Sequence, residues 1–247
     1  ELAEDLKNEM QKINPNLSIN SFFCDFSVQD SIRECADKIK NDLKAIDLLI
    51  NNAGVVNTEY SETIDGIENT FAVNHLGYFL FTNLLLDLVK KESESRIINV
   101  SSAAHHFVKG MQWDDINYKD DFKMGLKAYG QSKLGNILFT KQLAKKLQKD
   151  GVTVNAIHPG GVNTSLGNQN NSLLGRVLKI ILKPFFRSPL KGANTIIYLA
   201  EIDGLSITGA YWVDGRVAKT SHYSKNEAEA EKLWRLSEKL VNQEFDI

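Results

Sequence analysis

Proline is scarce, with four in 247 residues, and no Pro/Gly/Ser-rich stretch marks a linker, so residues 1–247 read as a single domain. Cysteine is scarcer still. Cys24 and Cys35 fit neither a metal framework nor a disulfide framework and read as two reduced thiols of a cytosol-facing protein. Neither charge dominates: 29 basic residues stand against 31 acidic ones, and a net charge of −2 leaves no electrostatic case for nucleic acid. No run approaches the roughly 18 apolar residues of a membrane span. The opening Glu1-Leu2-Ala3-Glu4-Asp5 is charged and unlike a secretory leader. The most informative absence is glycine. None of the 16 glycines precedes Gly54, and neither G-x-G-x-x-G nor G-x-x-x-G-x-G occurs anywhere. Such a turn lets backbone N–H groups approach a pyrophosphate at a helix N-terminus.

What is present alternates short aliphatic strands with long amphipathic helices, the pattern of a parallel sheet covered on both faces. Strands are expected at Asn20–Asp25, Asp47–Asn51, Arg96–Val100, Val152–His158 and Ile207–Val213. Helices are expected over roughly 1–13, 28–44, 63–90, 127–149, 190–201 and 225–242. In the fourth, Leu134, Ile137, Leu138, Ala144 and Leu147 recur at helical spacing. The fold class is α/β, a Rossmann-like doubly wound sheet in three α/β/α layers.

Within that frame Tyr129-Gly130-Gln131-Ser132-Lys133 is the sharpest local signal. Four residues make about one helical turn, so the phenol and the ammonium project from one face. A free phenol titrates near 10, and bringing it to about 7 takes roughly 4 kcal/mol of differential stabilisation. An ammonium at about 4 Å in a partly shielded site supplies that order of energy. By itself the pair is a weak signal, since chance pairs at this spacing are frequent on solvated helix faces. Three strand ends change the balance: Asn51-Asn52-Ala53-Gly54 after Asp47–Ile50, Ser101-Ser102 after Arg96–Val100, and His158-Pro159-Gly160 after Val152–Ile157. The carboxyl edge of an open α/β sheet is where ligands bind.

This series, with Asn74 in Phe71-Ala72-Val73-Asn74-His75, resembles the motifs of the short-chain dehydrogenase/reductase family. Within it the chain is similar to the retinol dehydrogenase branch, through Ser101-Ser102-Ala103-Ala104-His105-His106, Ser132–Phe139 and Leu233-Trp234-Arg235-Leu236-Ser237-Glu238. The resemblance runs over essentially the whole chain and implies an oxidoreductase. Tyr129 would be the acid/base, and Lys133 its partner and a ribose contact. Ser102 would bond the reacting oxygen, and Asn74 would anchor a water-linked proton path. Asp25 would meet the adenine; Asn52, Ala53 and Gly54 would run along the cofactor; Pro159, Gly160, Val162 and Thr164 would surround the nicotinamide. NADP(H) is the expected cofactor, with NAD(H) the alternative. No metal is implied.

Segment 172–187 is greasy with basic punctuation and corresponds to the family's lid. It suggests a lipophilic alcohol or carbonyl, such as a retinoid, steroid or fatty aldehyde, and peripheral contact with anionic lipid. Localisation is expected to be cytoplasmic or on a cytosol-facing membrane. His105 and His106 receive no role. The departure from the family is at the start. Its sheet order places Asn20–Asp25 third, so the first two strands and the glycine turn are lacking, and that third strand should stand apart from the sheet. Roughly 40 preceding residues are expected in a functional protein. The rival expectation is a truncated, non-catalytic remnant acting as a binding or scaffold protein.

Overall fold

The computed structural model describes residues 2–92, 94–160 and 188–247. In chain order it contains α1 (Leu2–Ile13), α2 (Gln29–Asp42), β1 (Leu48–Asn51), α3 (Asn69–Val89), β2 (Arg96–Val100), α4 (Leu126–Lys146), β3 (Thr153–His158), α5 (Pro189–Glu201), β4 (Tyr211–Val213), β5 (Arg216–Val217) and α6 (Glu227–Leu240). The sheet order is β1-β2-β3-β4-β5, with β1 to β4 parallel and β5 antiparallel. Register aligns Asn51 with Asn99, and Val100 with Ile157, so three strand ends lie side by side.

The period-2 alternation of the strands sends side chains to two apolar layers. Leu49, Ile97 and Val154 join a core built with α2, α3, α4 and α6. Ile98, Val100 and Ile157 face the other way, against Leu199 of α5 and Trp212. These two layers make the expected α/β arrangement. Phe79, Phe139 and Trp234 knit α3, α4 and α6 together, with ring centroids 4.9–5.9 Å apart. Aromatic contacts of this geometry add to area burial. Among the described residues one stretch, Asn69–Val89, is long and apolar enough to cross a membrane, but 78% of it is buried inside the fold. It is a core helix.

Two strand expectations need correction. Asn20–Asp25 forms no strand and pairs with none among the described residues. Without a neighbouring ladder its backbone cannot pair as a sheet. Phe22, Cys24 and Phe26 lean on the core, Phe23 is 82% exposed, and Asn20 Nδ2 donates to Asp42 at 2.8 Å. The expected isolation of this segment is therefore what the structure has, though not as a strand. The last parallel strand begins at Tyr211 rather than Ile207; ahead of it Gly209, at φ +70°, bends the backbone out of strand geometry while its N–H still donates to the Val154 carbonyl at 2.7 Å. Just beyond it, Asp214-Gly215 has positive φ at both residues and turns the chain into β5. Asp-Gly is the usual sequence for such a turn, and the period-2 reading passed over it.

Candidate active site

The ends of β1, β2 and β3 open onto the first half of α4 and a distortion in α3. Residues Ala72–Leu76 of α3 form a π-helical turn, a feature that concentrates at functional sites and that 3.6-residue periodicity does not reveal. Asn74 sits in it, fully buried. Its Oδ1 accepts from the Val55 N–H at 2.8 Å, and its Nδ2 donates to the Val55 carbonyl at 2.9 Å and to Ser132 Oγ at 3.1 Å. The side-chain amide thus clamps the strand-end loop to α4. Ser132 passes its own hydrogen to the Tyr129 carbonyl at 2.8 Å.

Lys133 is 3% exposed. Its ammonium donates to the Val100 carbonyl at 3.0 Å and lies 5.7 Å from the ring centroids of both Tyr129 and Tyr78. Asn136, one turn nearer the helix C-terminus, donates to the same carbonyl at 3.2 Å. Ser101 Oγ donates to the Lys133 carbonyl at 2.7 Å, which ties the end of β2 to α4. The Ser102 side chain lies close enough to the Tyr129 phenol to influence its titration, and its hydroxyl accepts from the Ala104 N–H at 3.2 Å. Asn74, Ser102, Tyr129 and Lys133 therefore converge on one spot.

The electrostatics differ from expectation. Burial pushes the Tyr129 phenol above its ordinary value, and only the neighbouring Ser102 side chain pulls the other way. Burial also pushes the Lys133 ammonium down to about 7. The expected lowering of the phenol by a charge at about 4 Å is absent here. The amine is held by the Val100 carbonyl, and desolvation disfavours both charged forms.

Gly54 lies beside Asn74 and Lys133. A β-carbon there would meet Asn74 Oδ1 at 3.2 Å and Lys133 Nζ at 3.6 Å, so glycine keeps backbone and amine close. The Ala53 carbonyl accepts from the Tyr78 hydroxyl at 2.7 Å, while Asn52 is exposed. Pro159 and Gly160, the latter at φ +83°, follow β3 at the same edge. Asp25 is committed locally: its Oδ1 accepts from Ser27 N at 2.9 Å and Ser27 Oγ at 2.7 Å. Val162, Thr164 and the 172–187 segment lie outside the described residues.

These features suit one half of a dinucleotide. A buried ammonium with a single acceptor among the described residues, the close approach of backbone and amine that Gly54 allows, and three aligned strand ends fit a nicotinamide ribose. For the pyrophosphate half the sequence offers no glycine-spaced turn. The structure also brings in what sequence reading left without a role. Tyr78 buttresses the Asn52–Gly54 loop, and His105 packs beneath Ser102.

Residues 1–215 match the family model described as enoyl-(acyl carrier protein) reductase. Mouse retinol dehydrogenase 14 is 41% identical over 216 residues, covering 85% of this chain and 64% of that protein. Human retinol dehydrogenase 13 is 40% identical, covering 98% of this chain and 73% of its own length. Thus the chain spans about two thirds to three quarters of these relatives. A crystal structure of an uncharacterized protein from Mycobacterium paratuberculosis superimposes with a TM-score of 0.73 at 29% identity, over 98% of this chain and 82% of that one. NADPH-bound carbonyl reductase from chicken fatty liver shares the fold at a TM-score of 0.61 and 22% identity, over 87% and 82% of the two chains. The chain belongs to the short-chain dehydrogenase/reductase family of NAD(P)-dependent oxidoreductases.

Proposed function

We propose that the protein interconverts a lipophilic alcohol and its carbonyl with NADP(H), with Tyr129 as acid/base and Asn74, Ser102 and Lys133 in support. NAD(H) is the second choice of cofactor. The observation that carries this reading is the buried Lys133 amine 5.7 Å from the Tyr129 ring, with the Ser102 side chain beside the same phenol. The nicotinamide, when bound, supplies or takes the hydride. The chain's own residues manage the oxygen and its proton. In carbonyl reduction the Tyr129 phenol donates its proton to the carbonyl oxygen as charge builds there. A phenol held above its ordinary pKa keeps that proton at neutral pH, the form that carbonyl reduction draws on. The Ser102 hydroxyl donates a second hydrogen bond to the same oxygen and stabilises the developing charge. Lys133, held by the Val100 carbonyl, offers its remaining N–H donors to a ribose. Asn74 keeps the Val55 loop and Ser132 in register and anchors the proton path. Asn52, Ala53, Gly54, Pro159 and Gly160 form the cofactor-facing edge, joined by Val162 and Thr164, with Asp25 at the adenine end.

A greasy substrate is supported by Phe107, Met124 and Leu126, which are 59%, 52% and 53% exposed near the start of α4. Leu126 lies about one turn before Tyr129 on the same helix, so the two share a face. Contact with a lipid surface through 172–187 belongs to the same reading.

Replacing Tyr129 with Phe tests it. NADPH-dependent reduction of nonanal should fall roughly a hundred- to ten-thousandfold, while NADPH affinity changes little. Turnover retained in the variant sinks the assignment. The scaffold alternative predicts no NADPH-dependent rise in the melting temperature of the wild type.

A further inference from the structure

The 3-10 turn Ala103–Phe107 carries His105, whose side chain is fully buried. Its Nδ1 lies 2.6 Å from the Ser102 carbonyl oxygen, and its Nε2 lies 3.2 Å from the Ser221 backbone nitrogen. A backbone N–H can only donate, so Nε2 presents its lone pair to Ser221. A carbonyl can only accept, so Nδ1 carries the hydrogen. Both contacts are satisfied by one neutral tautomer. The ring is clamped between His106, with centroids 4.0 Å apart, and Tyr211 of β4, at 5.2 Å and 70°. Burial holds the imidazole down at about 4, and His106 and His158 add to the penalty on its charged form. It stays neutral across the working range of an enzyme.

We infer that His105 is a positioning residue for Ser102, tying the Ser102 carbonyl to the Ser221 backbone so that the Ser102 hydroxyl stays directed at Tyr129. This rests on the reading of Ser102 and Tyr129 given above. Ser102 is extended, at φ −161°, and its carbonyl has two donors, the His105 ring at 2.6 Å and the longer His105 N–H at 3.2 Å. Losing the ring donor leaves the weaker bond to set the peptide plane from which the hydroxyl projects. Ser221 opens the turn His222–Lys225 that leads into α6, so the ring joins the reacting loop to the C-terminal part of the fold.

Two amide substitutions separate the halves of this link. In His105→Asn the amide nitrogen stands where Nδ1 stands and keeps the donor to Ser102. In His105→Gln the amide oxygen stands near Nε2, keeping the acceptor for Ser221 and losing the donor. With nonanal and NADPH, His105→Gln should lower kcat roughly three- to tenfold, with KM little changed, and His105→Asn should restore it. The second readout is independent of turnover: the Tyr129 Cζ resonance in carbon-13-tyrosine-labelled protein, assigned through Tyr129→Phe. Ser102→Ala and His105→Gln should move it in the same direction, and His105→Asn should not. If Ser102→Ala leaves turnover unchanged, the functional reading fails. If Ser102→Ala is inactive while His105→Gln keeps both kcat and the Tyr129 resonance, the positioning role alone is overturned. Nitrogen-15 spectra of wild-type histidines showing His105 with hydrogen on Nε2 overturn it as well.

Discussion

Lys133→Met is predicted to make the protein more stable and inactive, with a pH signature that isolates one buried charge. The wild-type ammonium is 3% exposed, and burial lowers it from 10.5 to about 7. That gap corresponds to about 5 kcal/mol at 1.36 kcal/mol per pH unit, the order of the penalty for folding around the charge. The sign follows from proton counts. Between about 7 and 10.5 the unfolded chain holds this proton and the folded chain releases it, so stability rises with pH across that window. Below about 7 both states are protonated and the full penalty is present. Methionine fills a similar volume with no charge to bury. The Val100 carbonyl does not lose its only partner, because Asn136 still donates to it at 3.2 Å. Allowing for the lost lysine bond and imperfect packing, about 3 kcal/mol should remain near pH 6, or roughly 6–12 °C in Tm for a chain of this size. Urea and thermal unfolding of both proteins between about pH 6 and pH 10 test this, because shared titrations cancel in the difference. The gap should close as pH rises. Curves that run parallel across the window, or a variant less stable than wild type near pH 6, would refute the buried-charge reasoning.

Other positions give sharper structural tests. Asn74→Ala deletes three hydrogen bonds at 2.8–3.1 Å from a fully buried site. It should cost about 2–4 kcal/mol in urea unfolding, and a loss under about 0.5 kcal/mol means the clamp contributes little. Gly125→Ala places a β-carbon 1.9 Å from the Asn57 carbonyl oxygen at φ +68°, so the turn before α4 must rebuild. Soluble expression or Tm should fall severely, and a variant with wild-type Tm contradicts that geometry.

Much of this was legible in one dimension. The strands at Leu48–Asn51, Arg96–Val100 and Thr153–His158 are aliphatic runs closed by polar or small residues, and local composition was enough to find them. Helix α4 followed from periodicity, and Tyr129 and Lys133 share a face because both lie within one turn of it. Asn20–Asp25 has the same kind of composition and failed as a strand, since pairing depends on what lies alongside rather than on the segment's own residues. Gly209 and Asp214-Gly215 moved the end of the sheet for reasons of backbone sign that a hydrophobic pattern does not carry.

Residue identity and spacing by themselves determined the α/β class, the helix that pairs phenol with ammonium, and the family. They could do so because these depend on periodicities of two and 3.6 and on local motifs. Tertiary structure alone decided that Asn74 lies in a π-helical turn and grips Val55 and Ser132. It also decided that Lys133 is held by the Val100 carbonyl instead of charging the phenol, and that His105 reaches Ser221 from 116 residues away. Each of those outcomes depends on desolvation and on partners distant in sequence, and both exist only once the layers have closed.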